Sequence, residues 1–127
     1  MRLLGIDWGE KKFGLAIAEG ALAEPYAVVA TRDQVLKIIA KEKIEKIIVG
    51  LSESASAQKA REFGQALSRG VTVPVEFSDE TLSSHDARRL AIESGIGRKK
   101  RKGLEDSYAA AIMLQSYLER VRPLDNV

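Results

Sequence analysis

Three places in the chain carry carboxylates positioned where they could do chemistry. Asp7 lies among Leu3, Leu4 and Ile6, and strand alternation puts it near the end of a central strand rather than in a loop. A carboxylate there is costly unless it is hydrogen-bonded, ion-paired or bound to a metal. The plain alternative is an Asx-type cap that accepts from the amides of Gly9 and Glu10. Asp79 and Glu80 end a later apolar run, and ligand sites of parallel sheets lie outside such strand ends. They equally suit a polar strand exit followed by a helix cap. Asp106 follows Glu105 in what reads as the first turn of the last helix, where acids complement the helix dipole. Ala109, Ala110 and Met113 share its side, so Asp106 is expected to face the sheet. Three acids meeting at one sheet edge would raise one another's pKa unless a cation shared the site. Hard oxygen ligands suit Mg²⁺ or Mn²⁺, which favour phosphoryl chemistry. Spacing alone leaves that convergence open.

Other motifs surround these acids. Asp7, Gly9 and Gly14 form a D-x-G-x-x-x-x-G pattern, whose glycines allow a tight hairpin with amides that can approach a phosphate. The same pattern occurs in two-domain ATPases, but 127 residues cannot supply both nucleotide-binding halves. Arg98, Lys99, Lys100, Arg101 and Lys102 form a basic run read as a loop between two helices, with Gly95 and Gly97 giving it freedom. Its plain reading is a solvated loop; the cost of packing like charges favours contact with a phosphate backbone. Full engagement of that run with duplex phosphates would give a salt slope of roughly −4.5 in log affinity. His85 is the one histidine and can shuttle protons, although an exposed helix-start histidine is the commoner case. Trp8, Tyr108 and Tyr117 suit core or rim packing better than base stacking.

The elements that must position these groups follow from pattern. Leu3 to Trp8 and Phe13 to Ala18 read as two strands joined by a polar turn, and Tyr26 to Ala30 as a third, with Pro25 fitting a strand start or edge. Thr31 and Gln34 have the spacing of a capping box, so a helix is predicted to follow, carried by Val35, Leu36, Ile38 and Ile39. Ile47 to Leu51 is a β-branched strand and Ser54 to Arg69 a second helix. Val71 to Phe77 is a fifth strand, placed at an edge by Pro74. Ser83 to Ser94, capped by Gly95, and Leu104 to Val121 are predicted helices. The order favours an α/β fold: a mixed five-stranded sheet, its first three strands antiparallel and the rest joined by parallel crossovers, flanked by helices.

Composition narrows the class. With 127 residues, 45% apolar and 30% charged, the chain is expected to form a single globular domain over 1–127 without disulfides or a structural metal, and it is neither disordered nor collagen-like. Cysteine is absent, which excludes thiolate metal sites and a cysteine nucleophile and is compatible with a reducing cytoplasm, the expected location. The N-terminus does not read as a targeting segment, since Asp7 interrupts the apolar run. The longest uncharged stretch, Ser107 to Leu118, is shorter than the roughly 18 to 20 residues that span a bilayer, so no membrane partner is expected. The formal net charge of +2 conceals an uneven distribution: without residues 98–102 the chain is net acidic.

Taken in order, Leu3-Leu4-Gly5-Ile6-Asp7-Trp8-Gly9-Glu10-Lys11-Lys12-Phe13-Gly14, Ile47-Ile48-Val49-Gly50-Leu51, Asp79-Glu80-Thr81-Leu82-Ser83-Ser84, the basic run and Asp106-Ser107-Tyr108-Ala109-Ala110 resemble the YqgF, or RuvX, family over nearly the whole chain. The resemblance implies a ribonuclease H-like fold related to the RuvC resolvases. It also implies that Asp7, Glu80 and Asp106 meet around divalent metal, Asp7 bridging two Mg²⁺ ions and the other two holding one each. Lys11, Lys12, Arg98, Lys99, Lys100, Arg101 and Lys102 would then position a nucleic-acid backbone. The implied activity is a metal-dependent nuclease with Mg²⁺ or Mn²⁺ as cofactor, acting on the 5′ end of the small-subunit ribosomal RNA precursor. The alternatives are a resolvase of branched DNA, a non-catalytic nucleic-acid-binding module and a domain whose basic run docks a protein. A resolvase cutting two strands symmetrically is expected to be a homodimer, and the choice between monomer and homodimer stays open. The chain departs from the family in carrying Glu10 where Thr is common, Lys12 where Arg is common, and a shorter Ser52–Ser56 loop.

Overall fold

An unbroken apolar run in the first strand, buried on both faces, sets the layering of the molecule. Leu4 and Ile6 point to one side of β1 (Arg2–Asp7), Leu3 and Gly5 to the other. The computed structural model describes residues 1–51, 56–79 and 98–121, of which 56, 79, 98–105 and 121 are described by backbone alone. β1 is followed by β2 (Phe13–Glu19), β3 (Leu22–Val29), α1 (Arg32–Lys41), β4 (Lys46–Leu51), α2 (Ser56–Gly70), β5 (Val75–Asp79) and α3 (Arg98–Val121). The five strands form one sheet in the order β3-β2-β1-β4-β5. β1 to β3 are antiparallel neighbours, whereas β4 runs parallel to β1 and β5 parallel to β4. This is the mixed α/β sheet that the sequence predicts.

α1 and α2 cover one face, where Leu4, Ile6, Leu15, Val35, Ile47 and Leu67 are buried. α3 covers the other with Ala110, Ala111, Met113 and Leu114 against Leu3, Ala16, Ala18 and Ile48. The start of α1 is the predicted capping box. The Gln34 amide donates to Thr31 Oγ1 at 3.2 Å, and the Thr31 amide donates to Gln34 Oε1 at 3.0 Å. Pro25 and Pro74 behave as edge residues. Pro25 lies inside β3, an outer strand, beside a register shift between Leu15 and Ala16, and Pro74 precedes β5 at the opposite edge.

Several boundaries differ from the sequence reading. β3 starts at Leu22 rather than at Tyr26, because Leu22 to Pro25 pair with Glu19 to Ala16 of β2. β5 starts at Val75 rather than at Val71, since Pro74 offers no amide to the ladder, although its carbonyl accepts from the Ile47 amide at 2.9 Å. The largest difference concerns the last helix. α3 begins at Arg98, not Leu104, so the basic run forms its first turns and is not an interhelical loop. Lys and Arg are good helix formers, and charge alone does not stop a helix. Asp106 accordingly lies in the third turn of α3. The predicted helix over 83–94 lies outside the described residues. Among the described residues, no helix is long and apolar enough to cross a membrane.

Candidate active site

The carboxyl ends of β1, β4 and β5 come to one end of the sheet, and Asp7 is the last residue of β1. In that row Asp7 pairs with Gly14 of β2 on one side and Gly50 of β4 on the other, and Gly50 pairs with Ser78 of β5. Alternation from Leu3 through Gly5 puts Asp7 on the α3 face, partly buried.

Small residues bring α3 onto this corner. A Cβ on Gly5 would lie 3.0 Å from Leu114 Cβ, and one on Gly14 would lie 1.8 Å from the Asp106 carbonyl oxygen. No side chain fits at Gly14, so the backbone of Asp106 rests directly on the strand beside Asp7. This corrects the reading of Gly14 as part of a phosphate-cradling hairpin: it is a strand residue that admits the helix. Gly9 does belong to the turn, where a Cβ would lie 2.7 Å from the Lys12 carbonyl oxygen.

The turn between β1 and β2 sends charge to both faces. Lys12 Nζ lies 3.4 Å from Asp106 Oδ2 on the α3 side. Glu10 Oε1 lies 2.9 Å from Lys59 Nζ of α2 on the other side. The Lys59 ammonium holds the Glu10 carboxyl below the usual carboxylate range, and Glu10 in turn raises Lys59, each chiefly through their hydrogen bond. The carboxylate that distinguishes this turn from the family pattern therefore has a cation of its own. Nothing local announces either pair, since Lys59 and Asp106 are far from the turn in sequence.

Asp106 is partly exposed, at 37% of its side chain, and the next residue, Ser107, is buried. Asp7 and Asp106 are thus brought to the same face and end of the sheet. Glu80 and His85 lie outside the described residues, Glu80 immediately after β5 in sequence, and Asp79 is described by backbone alone as the partner of Leu51. Lys11 is exposed on the turn. The basic run occupies the helical residues before Asp106, about 6 to 12 Å along the axis from it. Among the described residues, no three acids, histidines or cysteines are grouped closely enough to hold a metal.

A second cluster shows what structural charge looks like in the same protein. Lys46 Nζ donates to Tyr117 Oη at 2.8 Å and lies 2.7 Å from Glu76 Oε1, and Tyr117 Oη donates to Glu76 Oε2 at 2.6 Å. Hydrogen bonds raise Lys46 and lower Glu76, while burial followed by the Glu76 bond raises Tyr117. Every group here has its complement. On the α1/α2 side an open cleft of about 670 Å³ is lined by Trp8, Phe13, Phe63, Arg32, Lys59 and Glu62, of mixed charge and across the sheet from Asp7.

Comparison with known proteins follows the same lines. A protein of Halothermothrix orenii named as a candidate pre-16S rRNA nuclease is 37% identical over 132 residues, covering 93% of this chain and 94% of its own length. One of Anaeromyxobacter with the same name is 39% identical, covering 94% and 97%. Among solved structures, Thermus thermophilus RuvC in complex with a Holliday junction superposes with a TM-score of 0.61 at 19% identity, over 94% of this chain and 96% of that one. The Fowlpox virus resolvase with junction DNA gives 0.64 at 14%, over 95% and 99%. These likenesses establish the ribonuclease H-like fold. Residues 1–120 match the family described as RuvX, Holliday junction resolvase, and the chain belongs to the RuvX family.

Proposed function

We propose that the chain is a divalent-metal-dependent endonuclease that processes the 5′ end of a pre-16S rRNA. The observation that carries this reading is the seating of Asp106 on Gly14, beside Asp7, at the carboxyl end of the central strands. The donor set suits the group: two carboxylates on one face, partly open to solvent, offer hard oxygens to Mg²⁺ or Mn²⁺, and Glu80 following β5 is the third. When bound, such a cation supplies an activated water and charge stabilisation at the leaving oxygen.

The protein's own residues do the rest. Asp7 and Asp106 hold and orient the site from a strand end and a packed helix, both rigid elements. The basic residues 98–102 open α3, where the positive end of the helix dipole adds to their charge and no acid offsets it in the first turn. That start is unfavourable until an anion neutralises it, and a phosphate backbone is the anion that suits a linear run. Lys11 and Lys12 supply further cations on the turn beside Asp7. Backbone contacts orient a nucleic acid without reading its bases, so the choice of RNA rests on the names carried by the relatives. A second reading, cleavage of four-way DNA junctions, is favoured by the family description and by the fold shared with RuvC.

One assay tests both. Purified protein is incubated with Mg²⁺ or Mn²⁺ and either a pre-16S rRNA fragment or a four-way junction, with Asp7→Asn as control. We expect metal-dependent cleavage of the rRNA precursor that falls by about 10²- to 10³-fold in Asp7→Asn with the fold intact. Cleavage of the junction alone would select the second reading. Salt-sensitive binding of both substrates without any product would instead identify a non-catalytic binding module.

A further inference from the structure

Lys12 stands on a carboxylate that the proposed function gives to a cation. Its Nζ is 3.4 Å from Asp106 Oδ2, with the two side chains 56% and 37% exposed. The backbone sets up this meeting. Gly9 lies against the Lys12 carbonyl, and Gly14, two residues on, lies against the Asp106 carbonyl, so Lys12 and Asp106 are delivered to the same face by two close approaches. The pair itself is weak, because it is exposed and monodentate. Lysine is a compact charge on a flexible stem, able to leave one anion for another within reach. A divalent cation on Asp106 would repel the ammonium from its present position.

We propose that Lys12 is the internal counter-ion of Asp106 in the metal-free protein, and that a divalent cation displaces it onto a phosphate of the nucleic acid. The inference rests on the reading of Asp106 as a metal ligand. It makes Lys12 a positioning residue whose contact with substrate is conditional on the cation, whereas Lys11, exposed like Lys12 on the same turn, contacts substrate with or without it. Cation and nucleic acid then bind cooperatively, since each takes one partner of a pre-existing pair.

The first test is calorimetric titration of Mn²⁺ into the protein without nucleic acid, comparing wild type with Lys12→Met, Lys11→Met, Asp7→Asn and Asp106→Asn. Lys12→Met is expected to bind Mn²⁺ about three- to fivefold tighter, and Lys11→Met to change affinity by less than about twofold, though both remove one charge from the turn. Equal tightening in the two lysine variants, or none in Lys12→Met, overturns the inference while leaving the metal site standing. Mn²⁺ binding that neither aspartate variant weakens overturns the metal reading itself, and the inference with it. The second test is fluorescence anisotropy of a labelled single-stranded RNA with and without Ca²⁺. Lys12→Met should weaken binding about threefold only when Ca²⁺ is present, and Lys11→Met by the same factor in both conditions. Weakening by Lys12→Met in both conditions overturns the hand-over. A melting temperature within about 2 °C of wild type shows that Lys12→Met is folded.

Discussion

The two faces of the sheet are built from different residues for different ends. Towards α1 and α2 the strands present Leu4, Ile6, Leu15, Ile47 and Val49, bulky groups that hold the helices at side-chain distance. Towards α3 they present Gly5, Gly14, Ala16 and Ala18, met by Ala110 and Ala111, and a helix backbone reaches the strand itself. Large side chains bury more apolar area and so carry more of the stability, at roughly 25 cal/mol per Å². Small ones place a backbone atom accurately because nothing flexible lies between. Both faces are held by buried apolar groups, Leu3, Ile48, Met113 and Leu114 among them on the α3 side, but only on that side do glycines let a helix backbone set Asp106 beside Asp7.

Gly14 and Leu15 are consecutive residues of β2 that point to opposite faces, and changing each separates the two roles. Gly14→Ala forces a methyl into the Asp106 carbonyl, with no side chain available to yield. It should cost about 3 kcal/mol or more in urea unfolding and also abolish most cleavage, because α3 must shift from Asp7. Leu15→Ala should cost a similar amount, about 3 kcal/mol for a fully buried leucine, yet leave cleavage per folded molecule within about twofold when measured below the melting transition. Equal losses of activity in the two variants would break the distinction between the faces.

Smaller changes sharpen it. Thr31→Ala removes the hydroxyl that accepts from the Gln34 amide, while the residue-31 amide still donates to Gln34 Oε1, and should lower unfolding free energy by about 1 kcal/mol with no effect on cleavage. Glu76→Gln probes charge far from the site. Because folding depresses the Glu76 carboxyl through Lys46 and Tyr117, its contribution is present above the unfolded carboxylate pKa and disappears as pH falls through the lower folded value. Glu76 is 45% exposed, so solvent screening limits the effect at pH 7 to less than about 1 kcal/mol. Melting curves of wild type and Glu76→Gln should therefore differ slightly near neutrality and converge in acid.

Much of the fold was legible because it is local. Thr31 and Gln34 are three residues apart, and the box they form needs nothing beyond that spacing. The apolar runs Leu3 to Trp8 and Phe13 to Ala18, separated by a short polar turn, read correctly as a hairpin, since both the runs and the turn are written in consecutive residues. The proline at each sheet edge was readable for the same reason. The start of α3 was misread because a run of cations looks like a solvated loop, while helical propensity in Arg98 to Lys102 and continuity with Leu104 onward extend the helix through it.

By itself the sequence determined the residue types available for chemistry, the order of strands and helices, and a charge distribution that is net acidic outside one basic segment. Those properties depend on neighbours a few positions apart. Tertiary structure alone decided that Gly14 is the seat of Asp106, that Lys12 pairs with Asp106 across the site, and that Glu10 is claimed by Lys59 on the opposite side. Each of these joins residues separated by tens of positions, and only the packing of α2 and α3 on the sheet brings them within reach of one another.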